Sequence, residues 1–280
     1  DLIASQTVCQ NGIPTVLNPV VTGGTGTLSY AWFTNTTNST TGGIPSGSSA
    51  TLTPITAVVG TAYVYCVISQ TGGGCGTLTT IASQVTVVAI PTVSTQPTAS
   101  QTVCVNGATT ALSVAYTNGT GTATYQWYSN TTNSNTGGTL IAGATNASYT
   151  APSTAAGTTY YYCTITLSGS GCGNITSNAA QVTVVALPTI STQPTVTQNL
   201  CVGGTPTALT VGATGGTGTT SYQWYSNTTN STTGGTSIAG ANNTTYTPPT
   251  LNTAGSYYYY AVATVSGAGC GTVTSSAAEA

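Results

Sequence analysis

The chain has 280 residues with no Lys, Arg or His, and its only side-chain carboxylates are Asp1 and Glu279, for a formal net charge of −2. General acid–base catalysis draws mainly on His, Asp, Glu, Lys, Tyr and Cys, nucleic acid is held through Lys and Arg, and calcium needs carboxylate oxygens. The expectation is therefore no enzyme, no cofactor or metal site, no nucleic-acid partner and, with no apolar run near the length of a membrane span, no membrane insertion. Hydrophobic residues nevertheless make up 39%, with seventeen Tyr and three Trp, which argues for a folded, strand-rich chain rather than disorder.

Three near-copies organise the sequence. SYAWFTNTTNSTTGG (29–43), TYQWYSNTTNSNTGG (124–138) and SYQWYSNTTNSTTGG (221–235) follow at offsets of 95 and 97 residues, the mark of a tandem array. In chain order, the middle copy opens with an extended VSTQPTASQTVC (93–104), then turn residues in VNGAT (105–109). ALSVAYT (111–117) alternates Leu112, Val114 and Tyr116 on one face, a strand pattern. A glycine turn (118–123) leads into TYQWYSN (124–130) with Trp127 at its centre, followed by a polar Gly-rich loop. ASYTAP (147–152) reads as a strand, and so does TTYYYCTITLSG (158–169), with Tyr161, Cys163 and Ile165 on one face. A Gly-rich turn and AAQVTVV (179–185) close the copy.

About seven strands with regular turn signals and no helical period predict an all-β fold: tandem immunoglobulin-like β-sandwich domains forming a rod. The expected units are 1–90, 91–187 and 188–280. The first lacks opening residues and the third lacks closing ones, as in a piece of something longer or a subunit completed by a neighbour's strand. Trp32, Trp127 and Trp224 are the predicted core aromatics. Trp127 is expected under the strand of Tyr161 and Cys163, with Trp32 and Cys66, and Trp224 and Tyr260, in the same roles.

The order VCxNG, ALSV, YQWYSN, SYT, GTTYYYC, GCG, AAQVTVV resembles the immunoglobulin-like repeats of giant type-IX-secreted and gliding-motility adhesins of Bacteroidota. That resemblance implies extracellular cell-surface display, and an adhesive or filament-building role with no enzymatic activity in the repeats. It also implies further copies of the same repeat or chain as partners. The near-absence of charge departs from such arrays and speaks against ion-dependent binding.

Eight Cys fall into three classes. Cys9, Cys104 and Cys201 precede the second strand, Cys75, Cys172 and Cys270 lie in the last hairpin, and Cys66 and Cys163 sit on the YYYC strand. Within one copy the first two classes belong at opposite ends of strands about 33 Å long, whereas a disulfide needs Cα atoms within about 7 Å. Head-to-tail stacking brings the ends of successive copies together, favouring Cys9–Cys172 and Cys104–Cys270, with Cys75 and Cys201 paired outside this sequence. Cys66 and Cys163 are then free core thiols. Pairing inside each copy, Cys9–Cys75, Cys104–Cys172 and Cys201–Cys270, remains open at this point and requires a different strand order. With no carboxylates between the ends, stiffness falls to the apolar two-proline linkers 87–97 and 184–194 and to sulfur.

The Asn/Thr-rich loops place Asn35, Asn38, Asn130, Asn227 and Asn230 in glycosylation sequons. Composition alone generates such triplets in these loops, and that reading is the stronger. A second functional reading makes the loops a carbohydrate- or cell-binding surface, with surface glycans as partners. Near-identity of the loops between copies favours the structural reading.

Overall fold

The computed structural model describes residues 1–72, 76–169, 172–267 and 270–280. Among them every regular element is a β-strand. In the middle copy five strands lie side by side in the order Ser100–Cys104, Ala180–Val185, Gly157–Leu167, Ala123–Asn130 and Thr139–Leu140. The first pair is parallel and the others are antiparallel. The first copy repeats this order with Ser5–Cys9, Ser83–Val88, Gly60–Gln70, Leu28–Asn35 and Ile44–Gly47. In the third copy, Thr236–Ser237, Thr217–Asn227, Tyr258–Gly267 and Ala278–Glu279 pair in succession, and the parallel contact is a single bridge, Thr197–Glu279.

A second, smaller layer of paired strands faces the sheet in the middle and third copies, and among the described residues of the first copy it is a single bridge, Leu17–Leu52. In the middle copy it pairs Thr92–Thr95 with Ala115–Thr117 and Leu112–Ser113 with Ser148–Tyr149. The expected single strand at 111–117 is split at Val114, whose N–H donates to Ala147 O at 2.9 Å. The register shifts beside it, between Ala115 and Tyr116. This bulge lets one continuous apolar alternation serve two different partner strands.

Side-chain alternation builds the core. Along Ala180–Val185, Ala180, Val182 and Val184 face inward while Gln181 and Thr183 lie between them, half-buried, the period-2 rule of a half-covered sheet. These residues gather with Leu112, Val114, Trp127, Tyr161, Cys163 and Ile165 into one buried cluster, and the flanking copies form their own around Trp32 and Trp224. Each indole N–H reaches a loop carbonyl: Ser49 O at 2.8 Å, Asn146 O at 2.9 Å and Asn243 O at 3.0 Å. The largest core side chain thereby buries its ring without stranding its donor.

Two details of the expected core are corrected. Trp127 does not lie under the Tyr/Cys strand but beside it in the same sheet, directly opposite Cys163 in register. Trp224 is opposite Ala261, not Tyr260. Tyr260 points away from the core and stacks on Tyr225, centroids 5.1 Å apart. Its counterparts do the same, Tyr162 on Tyr128 and Tyr65 on Phe33. These outward tyrosines are still buried, because the Gly-Gly turn of the Asn/Thr loop folds over them. Gly138 N–H donates to Tyr162 Oη at 3.0 Å, and Gly43 and Gly235 repeat the contact.

Candidate functional site

All strand pairing among the described residues stays within a copy, so the contacts that cross between copies define the site. Cys9 ends the strand Ser5–Cys9 and opens a tight turn in which Gly12 N–H returns to Cys9 O at 2.8 Å. The same turn follows Cys104 and Cys201, closed by Gly107 and Gly204. Asn11 and Asn106 hold left-handed φ values of 61° and 62° in these turns, the conformation Asn tolerates best among non-glycine residues. The Cys-x-Asn-Gly motif therefore fixes a thiol at the lower end of the sandwich. Cys172 and Cys270 occupy the hairpins after Gly157–Leu167 and Tyr258–Gly267, at the upper end.

Cys9 is disulfide-bonded to Cys172 and Cys104 to Cys270, each with Cα atoms 5.3 Å apart and with sequence separations of 163 and 166. Both bridges run from one copy to the next. Each stands close to the peptide linker, since Cys9 is the register partner of Val88 and Cys104 of Val185. The linker adds its own tie. Gly119 N–H donates to Ala89 O at 3.1 Å, and Gly216 N–H donates to Ala186 O at 2.8 Å. Gly119 and Gly216 sit at φ 75° and 71°, so a side chain at either would be strained as well as crowded against Leu167 or Val265. Pro91 and Pro188 are buried at the same joints.

The remaining sulfurs differ. Cys201 is a free, exposed thiol, and Cys66 and Cys163 are free and buried; Cys75 lies outside the described residues. Burial pushes both core thiols up, Cys163 to about 11, which keeps them protonated and unreactive. Their backbone is held by a feature with no sequence motif to announce it. Cys163 N–H donates to the buried Ser177 hydroxyl at 3.0 Å, and that hydroxyl in turn donates a hydrogen bond to Asn178 O. Thr80 and Ser275 do the same for Cys66 and Ala261.

The sequon asparagines separate into two groups. Asn130 buckles its loop: its side-chain nitrogen donates to Ser134 O and Thr136 O, and its oxygen accepts from Thr132 N–H. Asn35 and Asn227 play the same part. The nitrogen that would carry a glycan is thus committed inside the loop at these three positions. Asn38 and Asn230 are exposed.

The family described as "Domain of unknown function (DUF8696)" matches residues 93–186 and again 190–279. The chain belongs to that family. Each matched stretch of DUF8696 contains one lower-end cysteine, Cys104 or Cys201, and one hairpin cysteine, Cys172 or Cys270. Comparison with curated protein sequences finds no match. Among solved structures, the I-band fragment I67-I69 from titin is 15% identical with TM-score 0.56, covering 98% of this chain and 95% of that one. An E-to-A variant of the same three titin domains is 16% identical with TM-score 0.54, again covering 98% and 95%. At such identities the likeness concerns fold alone: the chain is an all-β array of tandem immunoglobulin-like domains.

Proposed function

We propose that this chain is a non-enzymatic, extracellular structural segment, a stalk or fibre-forming array of a bacterial cell-surface adhesin, built from units 1–90, 91–187 and 188–280. The observation that carries this reading is the pair of disulfides placed identically at the two successive junctions. A bridge beside each linker restrains swinging of one copy on the next, which serves display or load-bearing and serves no chemistry. Disulfides persist in oxidising, extracellular settings, and the resemblance of the repeats to Bacteroidota type-IX adhesins points the same way. Cys201, free and exposed in the lower-end position, gives the array a place to accept a further copy. The loops contribute less to a glycan-binding reading than their composition suggests, because Asn35, Asn130 and Asn227 spend their amides on the loops themselves.

Small-angle scattering of the chain with and without reductant, joined to non-reducing peptide mapping after chymotryptic digestion, tests the proposal. The expected result is an elongated, uniform particle whose scattering broadens on reduction, with Cys9–Cys172 and Cys104–Cys270 peptides recovered. Identical scattering in both states, or cysteines paired inside single copies, overturns it.

A further inference from the structure

The first copy differs from its neighbours in how the space between its sheets is filled. In the middle copy Trp127, Tyr149 and Tyr161 form a ladder of rings, with centroids 5.8 Å and 5.5 Å apart. The third copy repeats it with Trp224, Tyr246 and Tyr259 at 5.8 Å and 5.7 Å. Register fixes the counterparts in the first copy. Leu52 bridges Leu17 as Tyr149 pairs Leu112. Val64 stands two residues before Cys66, as Tyr161 stands before Cys163. Both rings are therefore missing, replaced by Leu and Val.

Their place is a cavity of about 310 Å³ whose walls include Leu52, Val64, Val85 and Val87. The corresponding space in the middle copy, walled by Tyr161, Val182 and Val184, is about 210 Å³. The mouth changes in step. Ile55 and Val58 are 80% and 75% exposed there, at positions where the middle copy has Pro152 and Ala155. A cavity of this size is within the range that holds small molecules, and its mostly apolar walls favour an apolar guest. The lining holds no titratable group and a few hydroxyls, Thr34, Ser46 and Thr61 among them, which excludes a charged guest.

We propose that the first copy binds a small neutral phenol in this cavity, the ring standing where Tyr149 and Tyr161 stand in the middle copy. The guest's chemistry follows from what the same fold places there in both sister copies, and the reading does not depend on the array's role.

The probe is p-cresol, the tyrosine side chain as a free molecule, titrated into the full chain by calorimetry and thermal unfolding. Expected are saturable binding with Kd about 1 mM or tighter and nuclear Overhauser contacts from the ring to the Val64 and Val87 methyls. Restoring the rings with Leu52→Tyr/Val64→Tyr should weaken p-cresol binding tenfold or more, and Val64→Tyr alone is the second variant should the double one fail to fold. Absence of saturable binding at about 10 mM (tenfold above that Kd), ring contacts elsewhere, or equal binding by the ring-restored variant overturns the proposal. Equal affinity for 4-methylcyclohexanol overturns the aromatic assignment.

Discussion

The strand cysteines at the junctions and those in the sandwich interior meet opposite fates. Cys104 ends its strand where the next copy begins and is bonded to Cys270. Cys163 lies mid-strand opposite Trp127, with apolar neighbours on the facing layer, and among the described residues has no thiol to pair with. The facing residues, Leu112 and Val114, occupy the region where an immunoglobulin domain would carry a second thiol. Position along the strand decides which cysteine stiffens the array and which one only fills volume. The third copy supports this division, since Ala261 replaces the core thiol without loss of the strand, while its junction cysteine is kept.

Three substitutions should sharpen or break that contrast. Trp127→Ala removes the fully buried centre of the middle copy and should cost about 3–5 kcal/mol, measured as a fall in the denaturant midpoint of that copy. Unfolding unchanged by this substitution would place the weight elsewhere. Cys104→Ser should cost about 2–4 kcal/mol at most, and its clearer signature is geometric: broadened scattering at one junction while the strand signal in circular dichroism stays. Collapse of the sandwich on losing that bridge would show the junction and the interior to be one unit.

Cys163→Ala should be the mildest, about 1 kcal/mol or less, because one sulfur atom is removed from a site a sister copy fills with Ala. The same thiol gives a pH test. Its folded pKa, about 11, is raised above the ordinary value of 9.0 by burial. The folded state therefore keeps a proton that the unfolded chain releases. Stability from this group is intact below pH 9 and falls as pH rises towards 11. In Cys163→Ala the alkaline loss should shrink. Alkylation of the native chain at pH 8 should label Cys201 and spare Cys163; labelling of both would contradict the burial.

The strand layout was legible in the sequence because it follows from period-2 alternation and turn residues at fixed places; strand length favoured bridges between copies but left pairing inside each copy open, and the bonds Cys9–Cys172 and Cys104–Cys270 are what the structure adds. What escaped was set by register. The third copy holds one more residue between Tyr246 and Gly255 than the middle copy holds between Tyr149 and Gly157. Counting by a constant offset therefore put Tyr260 where Ala261 belongs. A run of four tyrosines hides such a slip, since tyrosine suits either face. Tyr162, on the opposite strand face from Tyr161, points away from the core, yet its stacking on Tyr128 and the turn at Gly138 cover it. The side-chain hydroxyls of Thr80, Ser177 and Ser275, which accept from backbone N–H groups, carry no motif, and the ring-poor interior of the first copy becomes visible only once Leu52 and Val64 are aligned through their strand partners.

The two bridges interleave along the chain, Cys9 to Cys172 and Cys104 to Cys270, and this sets a limit on how far the molecule can be drawn out. A pull on its ends is carried by residues 1 to 9, crosses to Cys172, runs back to Cys104, crosses to Cys270 and leaves through 270 to 280. Even with every sheet undone, that path allows roughly 300 Å at 3.3–3.6 Å per residue, against roughly 950 Å for an unbridged chain. Most of the contour length is held in reserve that no force can release while the sulfurs stay joined, so the array behaves as a short tether with little slack.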